Sequence, residues 1–185
     1  MSGILAVIFS AIAAICSLIA AVCSLVNLLF NRPKLCIFLI DKEEKRKLKL
    51  KPTKEFCFPI RIRNSGGRTT GVFRVTISFP QSFKVFKEKE CSKEARRKIN
   101  RVKNLRRPID VIEPGRIIVH PEPIIRGSTI IFWRKGIFDW ELSTGDHLDF
   151  VVCGLAPERV GAYKVTVNVY TTYKTFTEKL WVEVT

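Results

Sequence analysis

Few residues in this chain have the type and spacing for chemistry. Beyond the first apolar run there are four cysteines, Cys36, Cys57, Cys91 and Cys153, and two histidines, His120 and His147. A zinc site gathers thiolate and imidazole ligands, usually announced by a closely spaced Cys or His pair. No such pair occurs, so no metal ligand is assigned. Cys57 and Cys153 sit in apolar alternations, as core residues do. In a reducing compartment they stay thiols, and in an oxidising one an inter-sheet disulfide between them is the alternative. His147 lies between Asp146 and Asp149. A Ser/His/Asp or Cys/His arrangement needs a nucleophile within reach of the ring, and no spacing here specifies one, so His147 reads as a surface residue of a turn. There is no Gly-rich phosphate loop, no G-x-S-x-G elbow and no H-E-x-x-H. Trp133, Phe138 and Trp140 form an aromatic group that either lines a binding surface or fills a core. The expectation is no catalytic residue, no cofactor and no enzymatic activity.

Charge is the second chemical resource. The formal net charge is +15, and two segments carry nearly all of it. Residues 32–54 hold nine Lys or Arg against Asp41, Glu43 and Glu44, and residues 84–107 hold eleven against Glu88, Glu90 and Glu94. In the second segment Cys91, Ala95, Ile99, Val102 and Leu105 recur at helical spacing. The pattern predicts an amphipathic basic helix over about 88–107, ended by Pro108, with its apolar stripe docked on the domain. Arg96, Arg97, Lys98, Arg101 and Lys103 form its outward basic surface. Such a face is either simply solvated or binds anionic lipid headgroups, nucleic acid or an acidic protein patch. No aromatic residue is interleaved, which argues against nucleic acid.

These residues are positioned from a membrane anchor. From Gly3 to Phe30 there is no charge and no proline. As a helix the run extends roughly 40 Å, beyond the ~30 Å hydrocarbon core of a bilayer. Residues 1–34 are therefore read as a single transmembrane helix with its exit, and 35–185 as one domain. The run repeats every seven residues, and Ser10, Ala13, Ser17, Ala20, Ser24 and Asn27 share one face. Small residues let helix backbones approach closely in lipid, so this seam is a candidate helix–helix interface, with a second copy or a partner helix. The alternative is an Ala/Ser-rich span with no partner. A cleaved signal peptide has a basic start and a shorter apolar region, which this run lacks. No Lys or Arg precedes the run and nine follow within residues 32–54, so the positive-inside rule places the domain in the cytoplasm.

The domain reads as strands. Alternating apolar residues mark 35–40, 47–51, 56–64, 72–79, 129–133, 138–142, 148–152, 163–170 and 176–184, with shorter strands at 109–113 and 117–119. Turn residues separate them at intervals of about ten, the pattern of an antiparallel β-sandwich. The stretch Arg61-x-Arg-Asn-Ser-Gly-Gly-x-Thr, followed by Val75-x-Ile-x-Phe-Pro80, resembles the Asn-x-Gly hairpin of immunoglobulin-like β-sandwich domains in bacterial and archaeal envelope proteins, including the CARDB-like (cell-adhesion-related) group. The resemblance covers about 25 residues. It implies an all-β, immunoglobulin-like sandwich and binding or structural work rather than catalysis, and it transfers no functional residue.

The expected role is a non-catalytic, membrane-anchored interaction or scaffold protein that presents a β-sandwich at the membrane surface. One alternative is a filament subunit of the pilin or archaellin type, which also joins an apolar helix to a β domain. Another is a binder of anionic lipid or nucleic acid through the basic segments.

Overall fold

In the computed structural model the charge-free run forms one helix, α1 (Ser2–Phe30). Its stretch Val7–Asn27 is long and apolar enough to cross a membrane, and none of it is buried against the rest of the chain. Pro33 has no amide proton to continue the helix, and the chain turns directly into strand β1 (Leu35–Ile40). The structure describes residues 2–41, 43–97, 99–102, 105–108, 122–134 and 140–185. The strands expected at 109–113 and 117–119, together with Phe138, His120, Lys98 and Lys103, lie outside the described residues.

Eleven further strands follow: β2 (Glu44–Lys45), β3 (Lys47–Leu50), β4 (Glu55–Asn64), β5 (Thr70–Ser78), β6 (Lys84–Phe86), β7 (Ile124–Arg126), β8 (Thr129–Trp133), β9 (Trp140–Leu142), β10 (His147–Leu155), β11 (Gly161–Thr171) and β12 (Thr175–Val184). They form two sheets. The first has the order β2-β1-β4-β10-β6. The second has the order β3-β12-β11-β5-β8-β7, with β9 pairing to the start of β5. The inner faces of both sheets meet in one apolar cluster. Phe150 of β10 shows how they meet: its ring lies 5.1 Å from Phe132 of β8 and 5.3 Å from Trp140 of β9. Strands β11 and β12 show the simplest logic. Val165, Val167 and Val169 alternate inward against Leu180, Val182 and Val184 across the hairpin, and all six are fully buried. Each such side chain contributes about 1.5–3 kcal/mol by leaving water.

The sequence expectations need three corrections. First, β4 and β5 are not a hairpin. β4 pairs with β1 and β10, and β5 pairs with β11, β8 and β9, so the loop between them crosses from one sheet to the other. Alternation tells which side chains are buried, and two strands facing each other across a core alternate just as a hairpin does. Second, the sheets are not wholly antiparallel, since β3 runs parallel to β12. Third, residues 88–107 do not form one helix. They make a 3-10 turn (Glu88–Glu90), a short helix α2 (Lys93–Arg97) and a second 3-10 turn (Ile99–Arg101). Cys91 is extended (φ −79°, ψ 147°), and Ser92 then starts a fresh turn by accepting the Ala95 amide at its Oγ (3.3 Å). Lys93, Arg97 and Arg101 also stand four apart on one side, a repulsive arrangement in a continuous helix.

The predicted apolar stripe nonetheless docks. Cys91, Ala95 and Ile99 are buried against Cys57 and Cys153, with Phe86, Leu105 and Val151 packed around them. The insertion therefore covers the outer face of the first sheet, and β4 is buried on both faces along most of its length. Glu88 and Arg107 clasp its two ends through paired hydrogen bonds of 3.0 Å.

Candidate functional site

The register brings one end of the domain to the anchor. Here β1, β5, β10 and β12 begin and β4, β9 and β11 end. Asn64, the last residue of β4, organises this end and is fully buried. Its Nδ2 donates to the carbonyls of Arg68 (2.7 Å) and Leu142 (3.0 Å), and its Oδ1 accepts from the amides of Gly66 (3.0 Å) and Lys34 (3.3 Å). Its backbone carbonyl accepts from Gly145, and its amide donates to Asp146. The Asn64 side chain thus ties the anchor's exit, the loop after β4 and the end of β9, and its backbone adds the turn before β10. A Cβ at Gly66 would overlap the Arg32 carbonyl oxygen and the Lys34 amide, so only glycine lets the exit lie this close. Ser65 adds a backbone bond to the Lys34 carbonyl (2.8 Å) and a side-chain contact with the Cys36 thiol (3.3 Å). The helix exit is packed onto the domain over the residues Arg32–Lys34.

Between the last turn of α1 and two loops of the domain lies a cleft of about 910 Å³. Asn27 and Asn31 line it from the helix, Gly67 and Arg68 from the loop after β4, and Tyr173 and Lys174 from the β11–β12 turn. Arg68 stacks over Tyr173, 5.2 Å from the ring centre.

The predicted seam residues Ser10, Ala13, Ser17, Ala20, Ser24 and Asn27 are all exposed along α1. Asn27 Oδ1 accepts a hydrogen bond from Asn31 within the same helix (3.2 Å). Of the predicted basic surface, Arg97 and Arg101 are exposed and Arg96 is half-buried. Neighbouring cations are paired with acids at the surface. Lys87 and Lys89 pair with Glu122 (3.0 and 2.9 Å), holding its carboxyl down to about 2, and Arg106 pairs with Asp146 (3.0 Å). The basic run at 32–54 is divided. Arg32 and Lys34 stay at the anchor, whereas Lys47 and Lys49 stand opposite Trp181 and Glu183 on β12. Six to eight residues of strand beyond Thr175 put these lysines about 20 Å or more along the sheet from the anchor end.

Two buried clusters lie apart from these surfaces, the first expected only as an inter-sheet alternative and the second unseen in the sequence. Cys57 and Cys153 stand directly opposite each other on β4 and β10 and form a disulfide within one sheet, not between sheets. The Cys91 sulfur completes a group of three within 4.8 Å of one another. Cys91 contacts Glu55 Oε2 and the Phe56 carbonyl (both 3.8 Å), and burial, aided by the Glu55 charge, pushes its thiol up to about 11. With two sulfurs bonded and the third held protonated, the group is not poised as a thiolate ligand set. The second cluster centres on Asp149, which has no exposed surface. It accepts Arg61 Nε (2.7 Å), another Arg61 nitrogen (3.0 Å) and the Arg106 amide (2.8 Å). This carboxylate holds the Arg61 guanidinium above its ordinary pKa. His147 opens β10 rather than sitting in a turn, with Nε2 3.5 Å from Asp149. Trp133 and Trp140 part company: Trp140 is buried in the core and Trp133 is half exposed on the other face.

The class defined by these features is a two-sheet β domain fastened to a helix of membrane-spanning length. No protein-family model matches the chain, and no curated protein matches it in sequence. Solved structures with a similar arrangement include BcpA, the major pilin subunit of Bacillus cereus (10% identity, TM-score 0.44, 82% of this chain and 41% of that one). The C-terminal domain of the Streptococcus agalactiae AgI/II polypeptide BspA is another (10% identity, TM-score 0.43, 82% and 50%). A third is AvmM, which catalyses macrocyclization in alchivemycin A biosynthesis (8% identity, TM-score 0.39, 83% and 89%). The chain spans about two fifths of the pilin subunit. Likenesses this distant join a pilin subunit, an AgI/II polypeptide and a macrocyclization catalyst, and carry no argument about what this chain does.

Proposed function

We propose that the chain is a non-catalytic, membrane-anchored scaffold: a single-span helix presenting an immunoglobulin-like sandwich at the membrane surface on the cytoplasmic side. The observation that carries this reading is the packed exit. The Asn64 network and the Gly66 contact leave no free linker between α1 and the domain, so a partner meets the domain at a set height and angle. The small-residue seam of α1 pairs with a second copy or with a partner helix.

Charge and sulfur pull in opposite directions on sidedness. A disulfide favours an oxidising compartment. Nine cations within residues 32–54, directly after the span, favour the cytoplasm. We give the charge more weight, because both bonded cysteines are buried and therefore shielded from soluble thiols.

Cys36 is the reporter, since it is half-buried while Cys91 is buried and Cys16 and Cys23 lie within the span. The test treats right-side-out and inverted membrane vesicles with an impermeant maleimide, using C36S as the control. Labelling confined to inverted vesicles is expected. Labelling of right-side-out vesicles would reverse the orientation, and release of the chain by alkaline carbonate would remove the anchor altogether.

A further inference from the structure

The cleft under the helix is built from three separate segments, and each contributes a cation. Arg32 comes from the exit, Arg68 from the loop after β4 and Lys174 from the β11–β12 turn. No acidic side chain is among the described residues that line it. Two acids stand near this end: Asp146, which is paired with Arg106, and Glu141, opposite Gly71 at the start of β5. Asn27 and Asn31 add amide groups on the helix side, and Tyr173 adds a half-exposed ring beneath Arg68. A cation near a helix C-terminus complements its dipole. That accounts for Arg32, whereas Arg68 and Lys174 belong to the domain and contact aromatic rings, Tyr173 and Phe176 (4.7 Å), rather than a carboxylate.

Depth identifies the ligand. The apolar run ends at Phe30, and about 20 residues already suffice to cross the hydrocarbon core, so Asn31 and Arg32 lie at the level of the phospholipid phosphates. Tyrosine is enriched at that level. The volume, about 910 Å³, falls within the range of small-molecule sites, about 300–1,000 Å³. A lipid in contact with the last turn of α1 has its headgroup beside this cleft.

We propose that this cleft binds the phosphate headgroup of an anionic phospholipid from the leaflet facing the domain, held by Arg32, Arg68 and Lys174. The proposal rests on the anchored reading above. Its consequence is that the lipid fastens the domain in a fixed pose and that attachment responds to membrane composition.

The test uses the full chain in nanodiscs containing phosphatidylcholine with or without phosphatidylglycerol, followed by native mass spectrometry of the lipids retained on release. Preferential retention of phosphatidylglycerol is expected. The double variant Arg68→Ala/Lys174→Ala should lose about tenfold or more of that preference, since each cation near an anionic surface is worth about a fivefold change. Lys47→Ala/Lys49→Ala, at the far end, should keep it. Equal retention of both lipids, equal loss in both double variants, or displacement by millimolar inorganic phosphate overturns the headgroup site. Failure of the chain to enter nanodiscs overturns the anchored reading as well, so the two failures are told apart. All four substituted side chains are exposed, and unchanged thermal unfolding of the variants checks that the domain is intact.

Discussion

Asp149 carries a charge with no contact with water. It is tolerated because Arg61 meets it with two hydrogen bonds and the Arg106 amide supplies a third. Such a pair adds little over a well-packed apolar pair, but removing one partner strands the other. Asp149→Ala is expected to cost about 3–5 kcal/mol in denaturant unfolding, because Arg61 stays buried without the carboxylate that meets it twice. The same change frees the Arg106 amide, so the end of the insertion loosens. Hydrogen exchange should show faster exchange at Arg106 than wild type. A fall under about 1 kcal/mol would mean that the pair is not the anchor point described.

At the scale of elements, the insertion is held by contacts that its own sequence does not advertise. Hydrogen bonding from the Ser92 side chain and from its amide (2.9 Å), with the neighbouring cysteine, depresses the carboxyl of Glu55 on β4 below the ordinary 4.5. A depressed carboxyl stabilises the fold above its unfolded pKa, and that stabilisation is lost as pH falls through the folded value. Exchange of the Ser92 amide should therefore be slow near neutral pH, after correction for intrinsic rates, and should quicken below about pH 4. In Glu55→Gln this pH step should vanish. The element scale also shows how far the sequence could be read. β11 and β12 were legible because one face meets water and the alternation is clean. β4 was legible as a strand but not as a doubly covered one, since the residues that bury its outer face lie in the insertion. The Cys57–Cys153 disulfide was legible only as an inter-sheet alternative for a related reason. Cys57 and Cys153 are both visible as core residues, but only the register of β4 on β10 makes them neighbours. The basic helix was over-read, because a helical period survives when three short turns follow one another around a bend.

At the scale of the molecule, anchor and domain act as one body through Gly66. Gly66→Ala places a methyl group against the backbone of Arg32 and Lys34, and because main chain yields less readily than a flexible side chain, the exit is driven off the domain. We expect a loss of about 1–3 kcal/mol and much faster tryptic cleavage after Lys34, while the core hairpin β11–β12 stays protected. Unchanged cleavage would mean that the exit is not packed. The sequence marked a turn at Asn64–Gly67 but not its second role, since a glycine that makes room for a distant segment looks the same as one that only turns the chain.

Sheet order also sets a timetable. β12 is made last of the described strands, yet it lies between β3 and β11. The second sheet cannot close until β12 leaves the ribosome, many seconds after α1 at about 5–20 residues per second. During that interval the span is already in the bilayer, and β3 and β11 wait beside it as open edges, the feature most prone to joining another chain. A nascent chain stalled after Thr171 should be protease-sensitive throughout the domain, and one released beyond Val184 resistant. If so, the time when neighbouring copies can pair wrongly is the time they spend tethered together in the membrane, waiting for their last strand.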